Sequence, residues 1–174
     1  VYEKSSNGLF SKIVEYFDSM SFSVLNAKIN TTKNGYALNS FLLNHSSFDQ
    51  LSNNNISKIE LGLFKHLKRQ NKVDLSLSGR KSRRSRCFPI TPRVVLSADE
   101  KNEFRILSLT AGDKPGLLFR IAKVLQNHNV SVQTARISTL GERVEDVFVV
   151  EGEGLSDRKN SVELESDLIT TLEA

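Results

Sequence analysis

The sequence has little of the chemistry on which metalloproteins and disulfide-bonded proteins depend. Its 174 residues include one cysteine, Cys87, one methionine, no tryptophan and three histidines. A single thiol excludes an internal disulfide and provides no CxxC pair, which favours a reducing compartment, the cytoplasm. The histidines His45, His66 and His128 are far apart and lack the HxxxH spacing of a zinc site. We therefore expect no metal site.

Long apolar runs and catalytic motifs are missing as well. No segment approaches the roughly 20 apolar residues that a membrane helix needs, and neither GxxxxGK[ST] nor GxGxxG occurs. Glu145 and Asp146 are adjacent on a predicted strand, so they point to opposite faces and cannot form a catalytic pair. We predict no catalytic residue in this chain. Because residue 1 is Val1 and no signal pattern follows it, we expect a piece of a longer polypeptide.

Positive charge is concentrated in one segment. The stretch from Lys65 to Arg93 contains ten Lys or Arg and a single acid, Asp74, a net charge of +9 against +4 for the whole chain. Serines and arginines alternate in its second half, which does not fit a packed element. Residues 71–92 are therefore predicted to be a basic linker.

The clearest positive signal is an internal repeat with an offset of 108 residues. Of the 24 positions from 8 to 31, eight are identical to their partners in 116–139. The identical positions are Gly8, Leu9, Ile13, Ser23, Val24, Ala27, Ile29 and Thr31. An offset of 107 then pairs Phe41 with Phe148. Chance rarely keeps register over such a length, so the chain is predicted to contain one folding unit twice.

Each copy predicts a helix, a hairpin and a second helix. Apolar residues recur at helical spacing from Leu9 and from Leu117, and strands are expected at 22–31, 36–43, 130–139 and 143–151. Asn34-Gly35 predicts a two-residue hairpin turn, since both central positions of that turn favour a positive φ. Gly141 has the same place in the second copy. A strand at 104–110 precedes that copy, and Arg93–Ser97 is predicted to close the first.

This order predicts an α+β fold with two tandem ferredoxin-like (βαββαβ) units. We expect domains at 1–97, including the 71–92 linker, and at 98–174. The first is expected to be truncated at its N-terminus. The second ends in or just after its last helix, so its fourth strand is absent or supplied by another segment.

A candidate binding site lies in Asp113-Lys114-Pro115-Gly116-Leu117-Leu118, between a strand and a helix. A helix N-terminus exposes unpaired N–H groups that favour a carboxylate. Gly116 permits close approach to the backbone, and Asp113 can accept from an ammonium group. Together they would hold an amino-acid zwitterion; alternatively, Asp113 caps the helix and Gly116 relieves packing. The first copy has Ser5-Ser6-Asn7 here, where Asn7 could still bind a ligand.

These residues carry a resemblance to a known family. DKPGLLFRIAKVL, residues 113–125, resembles the DRPGLL-type helix start of the ACT domain family. Residues 7–41 and 112–150, above all ARISTLGERVEDVFVV, are similar to the C-terminal tandem ACT pair of the bifunctional PII uridylyltransferase/uridylyl-removing enzymes. The resemblance covers essentially the whole chain.

The resemblance implies the regulatory part of an enzyme that controls nitrogen metabolism in the cytoplasm. It implies a parent that uridylylates the PII signalling protein with UTP and Mg²⁺ and removes UMP in another domain, both domains being absent here. It also implies that the ACT domains sense glutamine between the strand–helix loop of one unit and the second strand of a neighbour, and that they can mediate a dimer. The implied effector-binding residues are Asp113, Lys114, Gly116, Leu117, Leu118, Gln133, Thr134, Ala135, Asn7, Asn26 and Ala27.

Two other functions stay open. ACT units can associate side by side and bind nothing, which would make the chain a pairing or oligomerisation module. The βαββαβ topology also serves RNA-recognition modules, and Arg80–Arg86 is strongly basic. However, Phe41-Leu42-Leu43 and Phe148-Val149-Val150 lack the string of exposed aromatic residues that such modules use to stack bases. We therefore expect amino-acid sensing rather than binding of nucleic acid.

Overall fold

A computed structural model describes residues 1–4, 8–32, 34–45, 53–68, 90–100, 103–155 and 157–174. Asn7, Cys87 and nearly all of the predicted linker lie outside these residues. The elements are β1 (Tyr2–Lys4), α1 (Leu9–Ser19), β2 (Ser23–Thr31), β3 (Tyr36–Asn44), α2 (Asn53–Lys68), β4 (Arg93–Ala98), β5 (Arg105–Gly112), α3 (Leu117–Asn127), β6 (Val130–Arg136), β7 (Thr139–Leu140), β8 (Arg143–Gly152), a short 3₁₀ helix (Glu153–Leu155) and α4 (Arg158–Glu173). The predicted α+β class with two ferredoxin-like units is confirmed.

The first unit is an antiparallel sheet with the strand order β1-β3-β2. Residues alternate along β3, so that Ala37 and Asn39 are buried while their neighbours are exposed. The apolar faces of α1 and α2 pack on the buried side. Phe17 lies at the centre, with edge-to-face contacts to Phe22 and Phe41 at centroid distances of 6.2 and 5.2 Å.

The second unit is an antiparallel sheet with the order β4-β5-β8-β6, and β7 pairs with β8. Its helices α3 and α4 pack on each other and on the same core. The predicted stripe of Leu164, Leu168 and Leu172 is fully buried, as a repeat of four on a helix face requires. The two middle strands, β5 and β8, pair along eight residues, from Arg105 opposite Val150 to Gly112 opposite Arg143.

The strand at Arg93–Ala98 forms, but the prediction that it closes the first unit is wrong. β4 pairs along its whole length with β5, and its residues Val94 and Leu96 pack against the core of the second unit. The short connection at 99–104 favours an antiparallel hairpin with the next strand. The second unit therefore receives its fourth strand from the segment that precedes it, and a boundary at residue 97 cuts into its sheet.

Turn signals in the sequence were partly right. Asn129 and Gly141 have the left-handed φ values expected at a helix stop and a hairpin bend, 54° and 65°. The two-residue turn at Asn34-Gly35 is wrong. Thr32 N–H donates to the Tyr36 carbonyl oxygen at 2.7 Å, so three residues lie in that loop, and only Gly35 among the described ones has a positive φ, 76°.

Three helix starts differ from what the sequence predicts. The spacing of Ser57 and Glu60 predicts a capping box, but helix α2 begins four residues earlier, at Asn53. The sequence places the start of the last helix at Asn160, but helix α4 begins after Asp157, whose carboxylate accepts the Asn160 N–H at 2.8 Å and caps the helix. Proline is typical of the first turn of a helix, but Pro115 lies before the first turn of α3, which begins at Leu117.

The two units pack side by side and share one core. Strand β2 lies beside β6, and α1 lies beside α3. First-unit residues Phe10, Val14 and Ile29 belong to the same buried cluster as second-unit residues such as Phe148. The Phe10 and Phe148 rings meet edge to face at 6.3 Å. The two copies of the repeat are therefore partners within one chain.

Candidate functional site

The predicted loop of the second unit connects β5 to α3. Asp113 N–H donates to the Glu142 carbonyl oxygen at 2.8 Å, which ties the loop to the turn before β8. Gly116 is the N-cap of α3 with φ 71°, a left-handed conformation that glycine adopts without strain. No side chain caps this helix, so the alternative in which Asp113 caps it is wrong. The Leu117 N–H, at the start of α3, donates to the Lys114 carbonyl oxygen at 3.1 Å, and the next two N–H groups have no partner within the helix.

Lys114 binds the end of another helix. Its Nζ donates to the carbonyl oxygens of Leu172 and Glu173 at 3.0 and 2.8 Å. These carbonyls end α4, where unpaired acceptors and the helix dipole favour a cation. The charge of Lys114 is thus used within the protein, to hold α4 against the loop.

Replacing Lys114 by methionine should lower the free energy of unfolding by about 1–2 kcal/mol, because two charge-assisted hydrogen bonds are lost. Lys159→Met is the matched control, since Lys159 is exposed and pairs with Glu163 only at 3.9 Å. Such an exposed pair contributes about 0.5 kcal/mol or less. Denaturant unfolding measures both variants. Equal stability of Lys114→Met and the wild type would contradict this role for Lys114.

Two carboxyl groups close to this loop have altered proton affinity. Asp146 is 2% exposed, and its Oδ1 accepts the Ser138 N–H at 3.1 Å. Burial, together with the nearby Asp113 charge, raises the pKa of Asp146 to about 7 in spite of this hydrogen bond. Burial also raises the pKa of Asp113. The two carboxyls repel each other when both are ionised.

The other predicted residues differ in their surroundings. Three are buried in the shared core and contribute backbone rather than side chain: Leu117, Ala27 and Ala135. Leu118 packs on the same core, and Asn26 and Thr134 are exposed on their strands. Gln133 donates through Nε2 to Glu151 Oε1. The structure therefore does not gather all predicted residues at the Asp113 loop.

A cavity of about 380 Å³ lies instead at the N-terminus of α1. Its walls come from both units: α1 and β3 of the first, and α3 and β6 of the second. Gly8, the repeat partner of Gly116, is the N-cap of α1 with φ 83°. In this cavity the start of α1 in the first unit lies across from Gln133 on β6, the strand that follows α3 in the second unit.

Most of the side chains in this lining that can form hydrogen bonds are neutral. They belong to Ser11, Asn39, Gln126, Ser131 and Gln133, with one charge of each sign from Lys4 and Glu151. Gln126 extends over Gly8, since a Cβ at position 8 would come within 2.3 Å of its Nε2. Only glycine fits there. A ligand in this cavity would meet the N-terminus of α1 and a wall of amides and hydroxyls.

Asn39 is the residue of this cavity that sequence reasoning missed. It lines the cavity and is 2% exposed, and its Oδ1 has no hydrogen-bond partner in the described part of the chain. Buried amide oxygens are normally paired. A signal was present, because the offset of 107 places Asn39 on Asp146. Both copies have a polar residue at the same inward-facing position of the third strand of the unit.

Comparison with known proteins agrees with this architecture. Residues 105–163, from β5 into α4, match the family model of the ACT domain. The second unit is therefore similar in sequence to the ACT domain. Over 172 residues, 99% of its length, the chain is 45% identical to the bifunctional uridylyltransferase/uridylyl-removing enzymes of Burkholderia mallei (strain SAVP1) and Burkholderia pseudomallei (strain K96243). It spans 20% of the length of these relatives. No solved structure matches the chain.

The resemblance stated from the sequence is thereby confirmed, and the ACT domain includes the whole Asp113–Leu118 loop. The first unit repeats the fold of the ACT domain and forms the cavity with it. In the ranges that the structure describes, no helix is long and apolar enough to cross a membrane. No group of three or more His, Cys, Asp or Glu among the described residues could hold a metal ion.

Proposed function

We propose that this chain is the glutamine-sensing regulatory part of a bifunctional PII uridylyltransferase/uridylyl-removing enzyme. The names of the relatives support the uridylyl chemistry, and the ACT domain supports the regulatory role. The parent enzyme would act in the cytoplasm on the PII protein, with UTP and Mg²⁺ in a catalytic domain outside this chain. Glutamine bound to the ACT pair would set the balance between the two activities and so control nitrogen metabolism.

The observation that carries the proposal is the cavity between the two units. The N-terminus of α1, where the helix dipole is positive, suits the α-carboxylate of an amino acid. The opposite wall presents neutral amides and hydroxyls from Gln126, Ser131 and Gln133. A charged side chain without a partner is costly to bury, whereas a carboxamide can pair with such groups. The lining therefore favours glutamine over glutamate.

A second site at the Asp113 loop forms part of the same proposal. Gly116 repeats the geometry of Gly8, and Asp113 adds a carboxylate that could accept from a ligand ammonium. Asn26 and Ala27 lie on β2, the strand of the first unit that runs beside the second unit. The two sites would thus bind the same class of ligand with different charge in their walls.

Calorimetric titration of the chain with L-glutamine tests the proposal. We expect saturable binding, with glutamate bound at least about tenfold more weakly because a second carboxylate costs more to bury among neutral amides and hydroxyls than a carboxamide does. Gly8→Ala should weaken binding at the cavity, since the new Cβ would displace the Gln126 amide from the cavity wall and the φ of 83° would strain the start of α1. Gly141→Ala is the matched control, because Gly141 also has a positive φ, 65°, but nothing lies within 4 Å of its would-be Cβ.

The variants also separate the two loops. Weaker binding in Gly8→Ala but not in Asp113→Ala would assign glutamine to the cavity, and the reverse would assign it to the Asp113 loop. Indifference of the wild-type chain to every amino acid would overturn the proposal and leave a ligand-free pairing module.

A further inference from the structure

We propose that Asn39 selects the ligand of the cavity by accepting a hydrogen bond from the carboxamide N–H₂ of a bound amino acid. This inference rests on the proposed function, since it names the residue that recognises the side chain of the effector. Asn39 is on β3, not on the helix start or the second strand where the site was expected. Its unpaired Oδ1, its burial and its place in the cavity wall carry the argument.

The second unit shows how this position is satisfied without a ligand. Strand β6 leaves its pairing with β8 after Arg136, and the following residues turn toward the core. The Ser138 N–H then donates to Asp146 Oδ1, and the Ser138 carbonyl oxygen accepts the Glu145 N–H. The backbone thus supplies an internal donor to the inward-facing side chain.

The first unit offers no such donor. Strand β2 stays paired with β3 through Asn30 and Thr31, which lie opposite Leu38 and Ala37. The backbone there remains in the ladder, and nothing in the described part of the chain donates to Asn39 Oδ1. The two copies therefore differ at one point. The polar group is internally satisfied in one unit, whereas in the other it has no partner among the described residues and belongs to a residue of the cavity wall.

The neutral charge of the Asn39 side chain indicates which kind of donor group would pair with its Oδ1. Asn39 is neutral and 2% exposed, so an ammonium group beside it would be buried without a counter-charge. A carboxamide N–H₂ is neutral and donates two hydrogen bonds, which matches an unpaired amide oxygen. With the α-carboxylate at the start of α1, the ligand that fits is an amino acid with a side-chain amide.

The test compares two ligands on four proteins by calorimetry. L-Glutamine and L-norvaline share the α-amino acid group and a similar chain length, but norvaline lacks the amide. The wild-type chain should prefer glutamine by about tenfold or more. Asn39→Leu should lose that preference, whereas Asn39→Asp should retain part of it, because a carboxyl oxygen still accepts. Asn30→Leu, on an exposed strand position outside the cavity lining, should bind as the wild type does.

Thermal unfolding without ligand provides a second readout. Asn39→Leu removes a buried oxygen that has no partner, so its Tm should rise by about 2–5 °C while glutamine binding is lost. A fall in Tm together with lost binding would identify a structural role and overturn the inference.

The outcomes distinguish the inference from the proposed function. Glutamine binding in the wild type with an unchanged preference in Asn39→Leu would overturn the role of Asn39 alone. Absence of glutamine binding in the wild type would overturn both. Loss of preference in Asn39→Leu with its partial retention in Asn39→Asp would support both.

Discussion

Replacing Phe148 by alanine is expected to lower the free energy of unfolding of the chain by about 3–5 kcal/mol. Phe148 is fully buried in the middle of β8 and meets Phe10 of the first unit edge to face at 6.3 Å. The substitution removes the transfer free energy of the ring and leaves a void that the two packed units cannot fill. Its effect should therefore reach both units.

The tyrosines allow this coupling to be measured. The chain has no tryptophan, and its three tyrosines, Tyr2, Tyr16 and Tyr36, all lie in the first unit. Tyrosine fluorescence thus reports on the first unit, although Phe148 is in the second. Denaturant unfolding followed by fluorescence should show the same loss of stability as circular dichroism. Val147→Ala, on the opposite face and 38% exposed, is the control, with an expected loss below about 1 kcal/mol. Separate transitions of the two units would contradict the shared core.

Replacing Asp146 by asparagine is expected to make the chain more stable at pH 8 by roughly 2–4 kcal/mol. Burial raises the pKa of Asp146 to about 7 in the folded chain, while an unfolded Asp titrates near 4. Between these values the folded state binds the proton that the unfolded state releases. Its contribution to stability is thus present at low pH and is lost as the pH rises through about 7. Asparagine keeps the acceptor for Ser138 and removes the charge.

The pH dependence itself is the decisive measurement. Unfolding curves at pH 5 and pH 8 should show a large loss of stability in the wild type and a smaller one in Asp146→Asn. A residual decline is expected, since burial also raises the pKa of Asp18 and of Asp113. Glu145→Gln is the matched control, because Glu145 is the exposed neighbour on the same strand and pairs with Arg143. A wild type whose stability does not fall between these pH values would contradict the buried ionisation.

The helices and most strands could be predicted because they depend on short-range signals. Apolar spacing located α1 and α3, and the repeat doubled the evidence for each element. The partner of β4 could not be predicted in this way. Alternating residues such as Val94 and Leu96 fit the face of either sheet, and pairing is decided by which edge is near and open. Strand pairing joins residues that are distant in the sequence, so the spacing of residues within one strand does not predict it.

The candidate site likewise has features that the sequence predicts and features that depend on contacts between distant residues. The helix starts at Gly8 and Gly116 followed from the repeat and from the chemistry of N-termini. The hydrogen bonds from Lys114 to the end of α4 could not be predicted, because they join residues 58 positions apart. Asn39 was missed since a single polar residue in a strand is usually exposed, and only packing shows that it is buried. The repeat in the sequence aligns Asn39 with Asp146, but only the structure shows that Asn39 lies in the wall of a cavity.

Strand β4 also decides where the second unit begins in the sequence. Residues 93–174 hold all five strands and both covering helices of the second unit, whereas a fragment from residue 98 would bare the edge of β5. An unprotected edge invites pairing with other molecules. A fragment that keeps this edge covered therefore starts before β4, and it still needs the first unit to cover α3 and β6.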